Sequence, residues 1–230
     1  MKNKPLIYCI LFLSIVMGGK AQAQDWPNLN KYQNENVNLK PAAPGQKRIV
    51  FMGDSITEFW SITDSQYFTG KPYVNRGISG QTTPQMLIRF RADVIALKPA
   101  VVIILAGIND IAGNTGPSTL EMIANNIFSM AELAKANQIK VILCSVLPAF
   151  DFSWKPNQNP AEKVVALNEM IKNYADTNGI LYLDYFSAMT DERKGLPALY
   201  SNDEVHPNKT GYQVMAPLAE KAITKVLLQK

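Results

Sequence analysis

Five short apolar runs punctuate the chain, at residues 48–52, 73–75, 101–106, 140–144 and 180–183. Three of them are continuous rather than alternating. Strands buried on both faces look like that, as in a parallel sheet covered by helices. Between the runs, apolar residues recur at helical spacing. Ser118-Thr119-Leu120-Glu121 has the sequence of a capping box. It opens a segment in which Leu120, Ile123, Ala124, Ile127, Phe128 and Ala131 share one face. Pro160 suits a first helical position, and Val164, Leu167, Asn168, Ile171, Tyr174 and Ala175 follow on one side. Residues 83–97 form a less regular helical segment, and Tyr212, Leu218, Ala219, Ala222, Ile223 and Val226 mark a C-terminal helix. Strands alternating with helices predict one α/β domain with a parallel sheet and right-handed crossovers.

The first 23 residues stand apart from this pattern. Lys2 and Lys4 precede an apolar stretch from Leu6 to Gly19, and Ala21-Gln22-Ala23 fits a small-x-small cleavage site. That is the pattern of a secretory signal peptide, too short and wrongly flanked for a membrane anchor. The expectation is an exported protein, periplasmic or extracellular. Residues 24–46 are rich in Asn, Gln and Pro and read as an N-terminal arm, with Trp26 and Tyr32 as points of attachment. The α/β domain is expected over 47–230. The chain has a formal charge of +4, of which the leader supplies three lysines and no acids, leaving +1. With no basic cluster elsewhere, neither a nucleic acid nor an anionic membrane is expected as partner. Past the leader only Cys144 remains, so no internal disulfide is possible. A core of ordinary size must hold the fold, and Cys144 reads as a small buried hydrophobe.

The polar and glycine positions then fall into place. Ser55 follows the first apolar run in Gly53-Asp54-Ser55, ahead of a polar turn at Ile56-Thr57-Glu58. Gly77-Ile78-Ser79-Gly80-Gln81 follows the second run, and Gly107-Ile108-Asn109-Asp110 the third. An aromatic stretch, Phe150-Asp151-Phe152-Ser153-Trp154, follows the fourth, and the chain after the fifth leads to Asp203 and His206. Ligands of open parallel sheets bind outside the carboxyl ends of the strands. Five separate segments therefore deliver chemistry to one edge.

These blocks, in this order and ending in Asp203-Glu204-Val205-His206-Pro207-Asn208, resemble the SGNH hydrolases of the GDSL esterase/lipase family. The resemblance spans nearly all of the chain past the leader. It implies a flavodoxin-like three-layer α/β sandwich with a five-stranded parallel sheet. It implies a nucleophile at Ser55, completed by Asp203 and His206, and an oxyanion hole shared by Gly80, Asn109 and the Ser55 amide. Glu204 stands where members of the family often carry glycine. The Gly-x-Ser-x-Gly elbow of the α/β-hydrolases is absent.

The residue types independently suit acyl transfer. A serine hydroxyl needs a base during attack, and His206, the only histidine, belongs to the one residue type that ordinarily titrates near neutrality. Asp203, three residues earlier, can fold back within a tight turn to one ring nitrogen and leave the other for Ser55. A tetrahedral intermediate needs donors for its negative oxygen, which a Cβ-free amide at Gly80 and the carboxamide of Asn109 can supply. Asp54 and Asp110 read as capping or loop-holding carboxylates. One histidine and one cysteine past the leader cannot build a usual transition-metal cluster, and no Walker-type loop is present, so neither metal nor cofactor is expected. Trp60, Phe152 and Trp154 are the candidates for substrate contact, by stacking on a sugar or lining an acyl pocket. The expected activity is hydrolysis of short acyl esters, acetyl above all, on a polar carrier such as carbohydrate. The alternatives are a lysophospholipase, thioesterase or arylesterase, and a silent module that binds glycans.

Overall fold

The computed structural model describes residues 24–229; the signal-peptide reading of residues 1–23 lies outside them. Five strands form one parallel sheet: β1 (Ile49–Gly53), β2 (Tyr73–Gly77), β3 (Val101–Leu105), β4 (Lys140–Cys144) and β5 (Leu181–Leu183). Their order across the sheet is β2-β1-β3-β4-β5. β1 and β3 are buried throughout, which is why they read as unbroken apolar runs. The register pairs Gly53 with Gly77 on one side and with Leu105 on the other, so three strands end level.

The chain moves from β1 outward to β2, then crosses back over β1 to β3. Right-handed crossovers in opposite directions place their helices on opposite faces. α2 (Ser55–Thr63) precedes β2 and packs with α8 (Lys209–Leu228), whereas α3 (Thr83–Asp93), α5 (Leu120–Ala136) and α6 (Pro160–Asn178) pack successively on one another. The result is the expected three-layer α/β architecture. The reversal of direction opens a crevice at the carboxyl ends of β1 and β3, the usual ligand position in such sheets.

Local chemistry accounts for the differences from the expected elements. The polar turn expected at 56–58 is the first turn of α2. Asp54 caps that helix by accepting the Ile56 N–H at 2.9 Å, and Ile56 and Trp60, four residues apart, bury its inner face. The cap of α5 is Thr119 rather than Ser118; its hydroxyl accepts the Met122 N–H. A true capping box opens α3 instead, between Thr82 and Gln85. The segment 83–97 divides into α3 and a 3₁₀ turn at Ile95–Leu97. The arm contains a short helix, α1 (Gln33–Asn38). Tyr32 anchors it, buried with its hydroxyl on the Gly77 carbonyl, while the Trp26 side chain is 41% exposed. Two further short helices, α4 (Ile108–Ile111) and α7 (Phe186–Met189), follow β3 and β5. Cys144 is buried in β4, and burial raises its thiol well above the ordinary range.

Candidate active site

The Ser55 Oγ lies 2.9 Å from Nε2 of His206, and Nδ1 of His206 lies 2.7 Å from Oδ2 of Asp203. Three elements produce this line. β1 and the cap at Asp54 aim Ser55 from the first turn of α2. The 203–206 turn supplies both partners just before α8 begins, and Asn208 caps α8 by accepting the Gly211 N–H.

The turn is built around one carboxylate. Oδ1 of Asp203 accepts the backbone N–H groups of Val205 at 3.0 Å and His206 at 2.7 Å, and the Ser201 hydroxyl at 3.1 Å. Partial burial raises the Asp203 pKa, but these bonds and the His206 ring outweigh it and hold the carboxyl below its usual range. An ionised carboxylate only accepts, so Nδ1 of His206 carries the hydrogen. That leaves the Nε2 lone pair facing the Ser55 hydroxyl, the arrangement a general base requires. Glu204 takes a left-handed backbone conformation, φ 65°, which explains why a glycine suits this position. The turn thus keeps its shape without glycine, closed by the two N–H bonds to Asp203.

Gly80 and Asn109 lie on the segments that follow β2 and β3, whose ends are level with the end of β1. Gly80 has φ +75° and open space where a Cβ would be. Asn109 lies on α4, which starts at the end of β3. Its Nδ2 donates to the Gln81 carbonyl at 3.1 Å and its Oδ1 accepts from Asn114 Nδ2 at 2.9 Å. These two bonds fix which way the carboxamide faces. One hydrogen on Nδ2 remains for a ligand. The Ser55 and Gly80 N–H groups have no protein acceptor among the described residues. Three such donors therefore lie on the segments that leave the level ends of β1, β2 and β3.

Asp54 and Asp110 hold structure, as their sequence context predicts. Asp110 accepts the Thr83 N–H at 3.0 Å and the Thr83 hydroxyl at 2.6 Å, joining α4 to α3. Burial is the main cause that raises the carboxyl of Asp110 to about 6 and that of Asp54 to about 7. Asp54 Oδ2 is buried without a hydrogen-bond partner, as suits a carboxylic acid that keeps its proton.

The aromatic candidates divide. Trp60 is 2% exposed and stacks between Tyr67 at 4.6 Å and Tyr212 at 5.4 Å. It is core, because it sits one turn after Ile56 on the inward side of α2. Phe152 is 1% exposed and lies beneath Trp154, ring centroids 5.1 Å apart. Neither can touch a substrate. Trp154 is 47% exposed, with its ring 6.1 Å from that of His206. On its other side the His206 ring meets Phe59 at 5.3 Å.

Several supporting residues carry no motif-level signal. Tyr212, buried in α8, donates to the Ile56 carbonyl at 2.8 Å and ties α8 to α2. Asn114 bonds both the Asn109 side chain and the Gly80 carbonyl, at 3.2 Å in the latter case. Glu58 and Arg89 reach the 79–81 segment from two sides. Among the described residues no cluster of metal-ligating side chains occurs, and no helix is long and apolar enough to cross a membrane.

A doubly wound sheet with a Ser–His–Asp line at its carboxyl edge is a framework that suits a hydrolase. The comparisons specify which. Residues 51–214 match the GDSL-like lipase/acylhydrolase family, and the chain belongs to that family. It is a carboxylic ester hydrolase by that membership. A Bacteroides fragilis protein described as an acylhydrolase is 48% identical, with TM-score 0.86 over 89% of this chain and 99% of that one. A GDSL-like lipase from Bacteroides thetaiotaomicron is 47% identical, with TM-score 0.84 over 86% of this chain and 98% of the other. An acetylxylan esterase from Geobacillus stearothermophilus is 28% identical over 148 residues, 62% of this chain and 68% of that protein.

Proposed function

We propose that the protein is an exported serine esterase that removes short acyl groups, acetyl foremost, from a polar carrier such as a carbohydrate. The observation that carries the chemistry is the continuous line from Ser55 Oγ through His206 to Asp203, at 2.9 and 2.7 Å. The Ser55 oxygen attacks the acyl carbon while His206 Nε2 takes its proton. The carbonyl oxygen becomes an oxyanion, held by the N–H groups of Ser55 and Gly80 and by Asn109 Nδ2. Collapse breaks the bond to the alcohol oxygen, which receives the proton from Nε2 and leaves. A water then repeats the sequence on the acyl-serine, giving its proton to Nε2. The released acid frees Ser55, which recovers that proton. Asp203 stays ionised throughout and stabilises the imidazolium.

The polar carrier is favoured by the rim. Ser79, Gly80, Asn114 and Trp154 are exposed around the site, a polar border with one aromatic face. Sugars stack on such faces while their hydroxyls bond the border. The acetylxylan esterase likeness points the same way. Export rests on the leader pattern alone, and N-terminal sequencing of the secreted protein, expected to begin near Gln24, tests it.

The test of the chemistry is Ser55→Ala. Its kcat on p-nitrophenyl acetate should fall by about 10⁴ or more, with circular dichroism unchanged. A serine-directed phosphonate should label Ser55 in the wild type. Near-normal turnover by a folded Ser55→Ala protein removes Ser55 from the mechanism.

A further inference from the structure

The residues that match the family begin at 51, yet a group of arm residues before that point is bonded to the segment carrying Gly80. The Tyr32 hydroxyl donates to the Gly77 carbonyl. Gln81 Nε2 donates to the Pro27 carbonyl and Gln85 Nε2 to that of Trp26, each at 2.7 Å. Arg76, 3% exposed, donates to Asn36 Oδ1 at 2.9 Å, and its guanidinium lies 4.5 Å from the Tyr32 ring centroid. Lys31 reaches further. Its Nζ pairs with Oε1 of Glu58, whose Oε2 accepts both the Ser79 N–H at 2.7 Å and the Ser79 hydroxyl at 2.6 Å. Glu58 lies one turn beyond Ser55 on α2.

From these contacts we infer that Glu58, held by Lys31 of the arm, is a positioning residue for the Gly80 amide. This role rests on the reading that Gly80 N–H binds the oxyanion. The Gly80 N–H belongs to the peptide unit that joins Ser79 to Gly80. Upstream of that unit, the Ser79 N–H is fixed on Glu58. Downstream, the Gly80 carbonyl accepts from Asn114 at 3.2 Å. A glycine with φ +75° and nothing within 4 Å of its missing Cβ has no side-chain packing to hold its peptide plane. A turn bond from the Gln81 N–H to the Ile78 carbonyl, long at 3.3 Å, closes the chain around this unit, and the two anchors add the restraint that packing cannot supply. Because Glu58 shares a helix with Ser55, the brace ties the amide to the nucleophile's own element. Oxyanion stabilisation depends on donors that are already aimed when charge develops. Loosening the brace therefore acts on the transition state and leaves ground-state binding alone. Partial burial raises the Glu58 pKa, but Lys31 and Ser79 together hold the carboxyl below its usual range, so it accepts from both across neutral pH.

The experiment measures kcat and KM on p-nitrophenyl acetate, with thermal melts, for Glu58→Ala, Glu58→Gln, Lys31→Met and Asn109→Ala. Complete loss of one oxyanion donor costs about 10²–10³ in rate, so misaiming one should lower the kcat of Glu58→Ala by about 10–100-fold, KM staying within about 2-fold. Glu58→Gln keeps an oxygen for the Ser79 N–H and should recover most of the rate. Lys31→Met leaves Glu58 in place but untethered and should lower kcat by about 3-fold. A merely structural role would lower the melting temperature without this division between kcat and KM or rescue by glutamine. Wild-type kcat in folded Glu58→Ala, or a raised KM at unchanged kcat, overturns the brace. Should Glu58→Ala not fold, Lys31→Met decides: unchanged kcat overturns the proposal and a selective fall supports it. Asn109→Ala separates the two levels. If it too leaves kcat unchanged, the oxyanion reading fails; if it alone falls, only the brace fails.

Discussion

Arg89 donates through Nη2 to the carbonyl of Gly53 at 2.9 Å, two residues before Ser55. The guanidinium is fully buried. Its Nε donates to Gln81 Oε1 and its Nη1 to Asp93 Oδ2 at 2.9 Å. One side chain thus links the end of β1, the 79–81 segment and the end of α3. Burying a charge is unfavourable in itself, and the pair persists because every face of the planar fork finds an acceptor.

Arg89→Met should therefore destabilise the protein by about 3–5 kcal/mol, since it strands a buried Asp93 and removes the Gly53 and Gln81 contacts together. Adding Asp93→Leu should restore part of that loss, because the uncompensated charge goes too. Urea unfolding of the wild type, the single and the double variant checks both. A loss under about 1 kcal/mol for the single change would show that the triple contact contributes little.

Glu204 predicts an opposite result. A non-glycine side chain at φ 65° is strained by about 1–2 kcal/mol. Glycine relieves that but adds unfolded-chain entropy of about 0.5–1 kcal/mol. The exposed pair of Glu204 with Arg193, 3.4 Å apart, contributes little. Glu204→Gly should then raise stability by about 0.5–1 kcal/mol. Its kcat should not change, because the turn is closed by the N–H groups of Val205 and His206 on Asp203. A melting curve and a rate assay settle it; a fall in kcat would mean that strain at Glu204 shapes the His206 position.

Stability should decline from pH 5 to pH 8. Asp54 is raised to about 7 and Asp110 to about 6, whereas an unfolded aspartate has a pKa of about 3.9. Between those values the folded state binds more protons than the unfolded one, so unfolding free energy falls as pH rises. The contribution is complete below about pH 4 and lost above about pH 7. Asp203 and Glu58 are shifted downward and act oppositely, losing stability only as pH falls through the acid range. Asp54→Asn keeps an oxygen for the Ile56 N–H and cannot ionise. It should flatten the decline, read as urea midpoints at pH 5, 6.5 and 8. An unchanged slope would assign the pH dependence elsewhere.

β1, β3 and β4 were legible because burial on both faces leaves unbroken apolar runs. β2 and β5, partly exposed, left shorter ones, and each strand begins and ends within two residues of its run. Ser55, Gly80 and Asn109 stood just past run ends in the sequence, where topology alone could gather them, whereas Asp203 and His206 lie well past the fifth run, just ahead of the C-terminal helix. What eluded the sequence was chemistry read through space. Asp54 makes a helix of what looks like a polar turn, since a cap reveals itself only once its acceptor meets the Ile56 N–H. Trp60 and Phe152 look like binding aromatics until α2 and the 150s loop fold them inward. Apart from Asp93, four residues on, the partners of Arg89 lie 8 and 36 residues away, and those of Glu58 lie 21 and 27 away, so neither residue's linking role has a local signal. The sequence marks Tyr32 as an attachment point of the arm, but without periodicity there it does not show that Tyr32 reaches the Gly77 carbonyl or that Lys31 reaches Glu58.

Trp154 provides the test of substrate class. Its ring rests on the buried Phe152, and Asp151 shapes the loop by accepting the N–H groups of Phe152 at 2.9 Å and Asn157 at 2.8 Å. The loop is pinned further where Lys155 Nζ donates to the Ala112 carbonyl at 2.6 Å. A half-exposed indole held rigidly beside His206 is placed to meet the alcohol side of an ester, since His206 must reach the leaving oxygen. Trp154→Ala should therefore raise KM for an acetylated xylo-oligosaccharide by about 5–10-fold, the equivalent of about 1 kcal/mol of stacking. For p-nitrophenyl acetate the change should be smaller. Acyl length provides the second arm. An apolar acyl groove would add about 0.8 kcal/mol per buried CH₂, so kcat/KM would climb steadily with chain length. With an open, polar-rimmed site, kcat/KM should instead fall beyond short chains. A steady climb to long acyl groups, together with equal effects of Trp154→Ala on both substrates, would replace the carbohydrate reading with a lipase-like one while leaving Ser55 and His206 in their roles.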